Sequence, residues 1–242
     1  MLDRDKMNCM TLIAGKNASA TGRVLVAHNE DDGGFVVVRH GWVPPQDWAA
    51  GSVMPAEEGC AEIPQVSHTL GYYWTEYRKD TCGLTTADGF VNERGVVIVS
   101  NSMGTSRESM ENADCVKDGG IGYNLRRALA ERAGSAREGA RILMELIDEW
   151  GYAPSGRAYT IADKDEAFMF QLVRGRHYMG ARVPDDALAV MPNHYNLHSL
   201  HDCPEMFYPA DLVSYAIDQG WYAPAHHGDY SDFDFAAAYQ LP

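Results

Sequence analysis

Residues 193–201 hold regularly spaced histidines, the first group of side chains that could do chemistry. His194, His198 and His201 follow one another at intervals of four and three, so on a helix they would share a face and could bind zinc. Pro192 and the nearby asparagines favour a loop, and the repeat lacks the glutamate of the H-E-x-x-H motif. The sequence therefore predicts no metal site here; solvated or singly hydrogen-bonded histidines are expected.

Cys9 is a second candidate, because it precedes the apolar run MTLIAG close to the start of the sequence. A cysteine with a free α-amino group carries its own base, since that amine titrates near pH ~8 and lies within the same residue as the thiol. The amine is free only if the Asn8–Cys9 bond is cut, and the thiol can begin that cut by attacking the Asn8 carbonyl. From the pattern alone, a structural cysteine is the commoner interpretation.

The other cysteines give no recognisable motif. All five are widely spaced and form no C-x-x-C pair, which argues against a thiolate zinc site. At least four are expected to be reduced, partly buried side chains. A papain-like Cys–His pair stays open, although no local context resembles one, and the sequence contains neither a G-x-S-x-G elbow nor a phosphate-binding glycine loop.

The elements that must position such residues begin with strands. Short apolar runs separated by turn residues predict strands at 9–15, 23–28, 35–38, 83–87 and 95–100, and again at 158–162, 167–173, 178–183 and 187–191. Residues 41–80 are interrupted by prolines and rich in aromatic side chains, so loop and edge structure, or a lid, is expected there. A small cluster of aromatic side chains packed under a loop is the other interpretation.

Two helices separate the two groups of strands. Leu125, Leu129 and neighbouring alanines follow helical spacing, and Ser135 with Glu138 three residues later has the capping-box form that opens a second helix. Shorter helices are predicted around Leu212 and over 233–239. Strands, two helices, strands and helices in this order predict an α+β fold in which helices pack outside antiparallel sheets.

Composition excludes several classes of function. The 242 residues carry a net charge of −14, which argues against nucleic-acid binding because phosphate backbones would be repelled. The sequence contains neither an apolar stretch long enough to span a bilayer nor a secretory signal, so no membrane association and a cytoplasmic location are predicted. No lysine or arginine follows Arg182, and a homo-oligomer is compatible with that acidic segment.

Four ordered segments carry a resemblance to a known family. They are CMTLIAGK with GRVLVAHNED (9–16 and 22–31), FVNERGVVIVSN (90–101), DKDEAFMFQLVRGRH (163–177) and RVPDDALAVMPNH (182–194). Together they resemble the bacterial cysteine dipeptidases of the dipeptidase A type, which are N-terminal nucleophile (Ntn) hydrolases related to penicillin V acylase and bile salt hydrolase. The resemblance implies a four-layer αββα sandwich and no cofactor.

The resemblance also implies roles for individual residues. Cys9 would be the nucleophile and, through its freed amine, the general base, with residues 1–8 removed as a propeptide. Asp31 would orient that amine, and Asn193 and Asn101 would supply oxyanion-hole amides. Structural alternatives stay open for these three: Asp31 as a turn cap and the asparagines as partners of backbone groups.

Departures from the family pattern leave the function open between three interpretations. His28 stands where the acylases and many dipeptidases carry arginine, so stabilisation of the thiolate by a fixed cation is in doubt, and a later catalytic arginine has no candidate after Arg182. The Ntn domain, 9–242, is expected to be incomplete relative to the family's length. Dipeptide hydrolysis through an acyl-thioester is the leading prediction; an N-acyl amide hydrolase and a catalytically silent binding or assembly homologue are the alternatives.

Overall fold

The computed structural model describes residues 9–30, 36–55, 57–79 and 85–241. Its strands are β1 (Met10–Ala14), β2 (Leu25–Asn29), β3 (Val36–Val43), β4 (Gln46–Asp47), β5 (His68–Thr69), β6 (Tyr72–Lys79), β7 (Thr85–Asn92), β8 (Val97–Ser102), β9 (Tyr152–Ala162), β10 (Ala167–Gly175), β11 (Tyr178–Arg182), β12 (Leu188–Met191) and β13 (Met206–Phe207). The helices are α1 (Asn124–Arg132), α2 (Ala136–Trp150), α3 (Leu212–Asp218) and α4 (Phe235–Tyr239).

An eight-stranded antiparallel sheet forms the centre of the fold. Its strand order is β13-β11-β10-β9-β8-β7-β6-β3, so neighbouring strands are mostly consecutive in the chain. All nine residues of β10 are buried, because both faces of the sheet are covered there, and this explains why β10 is mostly apolar without alternation, apart from the buried Gln171 and Arg174.

Helices α1 and α2 cover one face of this sheet. Ser135 caps α2 by accepting a hydrogen bond from the Glu138 amide, and the Glu138 carboxylate accepts one from the Gly134 amide at 2.9 Å. The capping-box prediction is therefore confirmed, except that the Glu138 side chain binds the amide of Gly134 and not that of the cap residue Ser135. Leu143 and Ile147 point into a core shared with the sheet, and each buried side chain of this size stabilises the layer by roughly 1.5–3 kcal/mol.

A three-stranded antiparallel sheet, ordered β12-β1-β2, faces the other side of the large sheet. Thr11 and Ile13 of β1 are buried in the second core, whereas Met10 and Leu12 are 40% and 48% exposed. This alternation follows from the two-residue period of a strand. Helix α3 contributes Leu212 to this core, and helix α4 contributes Phe235 and Tyr239.

The predicted α+β class is confirmed: two helices, a large antiparallel sheet and a small antiparallel sheet follow one another as layers. The interpretation of residues 41–80 as loop and edge was incomplete. The two ends of this segment are regular strands of the large sheet: β3, which lies at the sheet edge, pairs with β6 in a register from Val43 with Tyr72 to Val36 with Lys79, because long-range pairing outweighs the local proline signals. None of the helices in the described ranges combines the length and apolar character needed to cross a membrane.

Candidate active site

Cys9 lies at the inward-facing start of the small sheet. Its side chain is 2% exposed, and it shares the inward parity of Thr11 and Ile13. Extending the β1–β12 register by two residues beyond Thr11 and Met191 places Cys9 opposite Asn193. Extending the β1–β2 register by one residue beyond Met10 and Asn29 places it opposite Glu30. Cys9 is therefore centred between the ends of two neighbouring strands and faces the large sheet.

Asn101 of β8 connects the large sheet to the small one beside this position. Its side-chain Oδ1 accepts a hydrogen bond from the Thr11 hydroxyl at 2.8 Å, and its Nδ2 donates to the Met191 carbonyl at 2.9 Å. The residue is 1% exposed, so both bonds lie in a water-excluded environment where they are strong. Sequence reasoning missed Thr11, although its two-residue separation from Cys9 on a strand was the available signal.

Asn193 follows β12 and makes a similar connection. Its Nδ2 donates to the carbonyl of Ser102, the last residue of β8, at 2.7 Å. The structure thus brings Asn101 and Asn193 to the same seam between the two sheets as Cys9. Each amide nitrogen makes a bond to a backbone carbonyl and carries a second hydrogen. An oxyanion role for the two asparagines stays a prediction, and so does the structural alternative.

His28 of β2 also lies in this seam. Its Nδ1 is 2.9 Å from the Thr11 hydroxyl oxygen, and its Nε2 is 3.5 Å from a carboxylate oxygen of Glu30. Thr11 therefore links His28 to Asn101 (the seam relay: Glu30, His28, Thr11 and Asn101). Asp31, the predicted partner of the Cys9 amine, lies outside the described residues, and its role stays a prediction.

A buried cation near this end of β8 was missed by sequence reasoning. Arg157 of β9 is 5% exposed, and its guanidinium donates to the hydroxyls of Ser100 and Ser102 at 3.0 and 3.1 Å. Burial lowers the pKa of Arg157, but nearby ionisable groups, Tyr152 foremost and Glu30 among them, raise it above its ordinary value. Arg157 is thus a permanent positive charge.

The position of Arg157 in the sheet separates it from the seam. Alternation along β9 puts it on the face shared with Tyr159 and Ile161, toward the helices. Ala158, the register partner of Asn101, faces the second core instead. Sequence reasoning considered a catalytic arginine only after Arg182. It missed Arg157 because no residue near position 157 indicates that β9 pairs with β8.

The histidine-rich segment forms no helix and no ligand cluster. His198 is held near the start of α4 by Asp234, whose two carboxylate oxygens each lie 3.0 Å from Nδ1, and His194 is exposed. Within the described ranges, no three histidine, cysteine or acidic side chains are placed to hold a metal ion. The loop prediction for this segment is confirmed.

The remaining cysteines of the described chain behave as structural thiols. Burial, the largest cause in each case, raises the pKa of Cys60 to about 11 and raises those of Cys115 and Cys203 above the ordinary value. A raised pKa keeps the unreactive thiol form at neutral pH. Cys82 lies outside the described residues.

A groove of about 600 Å³ runs along α2 beside Ile63. It lies on the helix layer and away from Cys9.

Comparison with known families identifies the chain. The profile of peptidase family C69 matches residues 8–241. The chain belongs to peptidase family C69. This family match confirms the resemblance seen in the sequence motifs, and it begins one residue before Cys9.

Curated relatives of this C69 chain are named as dipeptidases. "Dipeptidase A" of Lactobacillus helveticus is 28% identical over 234 residues, covering 91% of this chain and 48% of the relative. "Probable dipeptidase B" of Lactococcus lactis subsp. lactis is 28% identical over 205 residues, covering 81% and 41%. The chain therefore spans about half the length of the curated relatives it matches.

The comparison with solved structures also matches penicillin V acylase from Agrobacterium tumefaciens. The similarity has a TM-score of 0.39 at 9% sequence identity, and it covers 76% of this chain and 49% of the acylase chain.

Proposed function

We propose that this C69 chain hydrolyses dipeptides, with Cys9 as an N-terminal nucleophile after removal of residues 1–8. The observation that carries the proposal is the placement of Cys9, which is buried directly before β1, beside the seam where Asn101 bonds to Thr11 and Asn193 bonds to Ser102. Dipeptidase names among relatives support the substrate class. Among the described cysteines, Cys9 lies beside the seam, whereas burial raises the pKa values of Cys60, Cys115 and Cys203.

The proposed reaction needs no group beyond the chain and water. The freed α-amine of Cys9 accepts the thiol proton, and the thiolate sulfur attacks the carbonyl carbon of the peptide bond. The oxyanion is stabilised by side-chain amides of Asn101 and Asn193, each contributing a few kcal/mol if aligned. The ammonium then protonates the leaving nitrogen, the C–N bond breaks, and a thioester remains. Water attacks the thioester, passes its proton to the amine, and the thiol is restored.

Two measurements on the expressed chain test this proposal. Intact mass is expected to show a mature chain that begins at Cys9, and a panel of dipeptides is expected to be hydrolysed, while penicillin V and N-acyl amino acids are left intact. Cys9→Ala is expected to retain residues 1–8 and to lose more than about 10³-fold in kcat/KM. Cys203→Ala is the matched control, because Cys203 is a partly buried thiol outside the seam, and it is expected to keep both properties.

Each contrary result has a distinct meaning. Hydrolysis of acylated substrates alone would replace the dipeptidase with an acylase on the same nucleophile. A chain that keeps residues 1–8 and hydrolyses nothing would favour the silent homologue. Wild-type hydrolysis by Cys9→Ala would overturn the catalytic assignment itself.

A further inference from the structure

The direction of each hydrogen bond in the seam relay follows from its chemistry. The Asn101 amide is oriented by the bond from its Nδ2 to the Met191 carbonyl, so its Oδ1 faces Thr11 and can only accept. The single Thr11 hydroxyl hydrogen is therefore donated to Asn101. The Thr11 oxygen must then accept from His28 Nδ1 across their 2.9 Å separation. His28 Nδ1 consequently carries a proton.

The second ring nitrogen of His28 fixes the charge state that fits this arrangement. Nε2 lies 3.5 Å from Glu30 Oε2, and both atoms are shielded from solvent. A neutral ring protonated at Nδ1 would direct the Nε2 lone pair at a carboxylate. An imidazolium directs an N–H at it and gains from the opposite charge in a medium of low dielectric. The imidazolium is the only form of the ring that satisfies both neighbours.

We infer that His28 is a positioning residue whose imidazolium form, held by Glu30, orients the Asn101 amide beside Cys9 through the Thr11 hydroxyl. The inference rests on the proposed function for its catalytic consequence. It assigns Thr11 and Glu30 a part in the site and gives His28 a role that differs from that of a fixed arginine, since histidine loses its charge within the physiological pH range.

Loss of the proton reverses the relay. The neutral ring keeps its remaining proton at Nε2, facing Glu30, and Nδ1 becomes an acceptor. The Thr11 hydroxyl then donates to His28, and Asn101 Oδ1 loses the donor that oriented it. The amide is then held by its bond to the Met191 carbonyl without the second bond from Thr11. A less firmly held amide can rotate and turn its oxygen toward the position where an oxyanion forms. Catalysis is therefore expected to fall when His28 loses this proton.

Among the described residues, charged and titratable groups near His28 come from several elements. Glu30 directly follows β2, and Cys9, with its thiol and freed amine, directly precedes β1. The large sheet contributes the neutral Asn101 and, from β9, Arg157, whose charge acts on Glu30. Deprotonation of the Cys9 amine and thiol raises activity. In a profile of kcat against pH, the fall in activity with rising pH (the alkaline limb) is therefore the part assigned to His28.

Variants of Thr11 and His28 separate the relay from a merely structural role. The wild-type pH profile of kcat for dipeptide hydrolysis is expected to show the alkaline limb, and Thr11→Ser, which keeps the hydroxyl, should retain it. Thr11→Val removes both hydrogen bonds of the hydroxyl and is expected to lower kcat about tenfold at the optimum and to abolish the limb. His28→Asn keeps a permanent N–H donor near Nδ1, so whatever activity it retains should no longer show the limb. A limb that persists in Thr11→Val and His28→Asn would overturn the inference.

A readout without turnover separates this inference from the proposed function. In the Cys9→Ala protein, imidazole ¹⁵N spectra are expected to show His28 protonated on both nitrogens at low pH and on Nε2 alone at high pH. Thr11→Val should shift the midpoint of that titration, whereas Thr11→Ser should not. A neutral Nδ1–H ring throughout, or an unchanged midpoint in Thr11→Val, contradicts the relay even if hydrolysis is found. Absence of hydrolysis with the expected spectra contradicts only the enzymatic proposal.

Discussion

Two histidines, the partly buried His28 and the buried His177, lie near carboxylates in different regions of the molecule, and they differ in what surrounds the ring. In the seam relay, His28 has a hydroxyl on one side and Glu30 on the other. His177, on the turn between β10 and β11, has Asp211 at 3.4 Å, but its ring stacks on Tyr215 with centroids 4.1 Å apart. The first ring is in contact with polar groups at both nitrogens, whereas the second is packed among aromatic rings.

The region around His177 (the α3 anchor: Glu108, Asn112, His177, Asp211 and Tyr215) attaches α3 to the rest of the chain. Tyr215 of α3 donates to the Glu108 carboxylate, and Asn112 donates to the same carboxylate at 2.7 Å. In the large sheet, β9 separates β10, the strand that precedes His177, from β8, the strand that carries Asn101. A histidine beside a carboxylate does not by itself mark a catalytic site. Under the proposed function, its position relative to Cys9 distinguishes the two.

The largest difference between the two regions is expected in activity. Asn101→Ala removes an amide from the seam and should lower kcat/KM about 10²–10³-fold, because an oxyanion donor and a link between the sheets are lost together. Asn112→Ala is the matched control in the α3 anchor and should leave kcat/KM within about twofold. Steady-state hydrolysis of one dipeptide measures both; equal losses would show that the two regions do not divide function from structure.

In the α3 anchor the effect is expected in stability. Tyr215→Phe deletes the hydroxyl that binds the buried Glu108 carboxylate, and bonds to charged groups contribute about 2 kcal/mol. Urea unfolding should show a fall of that size in the free energy of unfolding, with kcat/KM unchanged. Thr11→Ser, which keeps its hydroxyl, serves as the control in the seam. An unchanged unfolding midpoint for Tyr215→Phe would mean that the anchor does not stabilise the fold.

The pH dependence of stability should distinguish the two histidines more finely. Burial lowers the pKa of His177, and Asp211 opposes that shift only in part. The unfolded chain therefore binds the proton more readily than the folded one. The stability that the fold has with a neutral His177 is fully present above the ordinary histidine pKa of about 6.5. It is lost as the pH falls toward the lower folded-state pKa. His177→Phe should flatten the decline of Tm between about pH 7 and 5; a decline as steep as in the wild type would contradict this.

Much of the candidate site could be predicted from motifs in the sequence, but its connections could not. Cys9, Asn101, Asn193 and His28 were named by resemblance, and the structure places all four at one seam. Thr11 was missed because a threonine in a strand carries no motif and its partner Asn101 is ninety positions away. Arg157 was missed for a related reason. The strands within 41–80 were missed because proline and aromatic content outweighed a pairing that is set only by neighbouring strands.

The sequence by itself determined the features that depend on neighbours along the chain. The Ser135 cap, the helical stripes of α1 and α2, and the two-residue alternation that turns Cys9 and Thr11 inward are all local, because backbone geometry repeats every 3.6 or two residues. Only the tertiary structure decided that β12 pairs with β1 and that Asn101 reaches across to Thr11. Those contacts join segments far apart in the chain, and they form because stacking the two sheets buries apolar surface that neither sheet can bury alone.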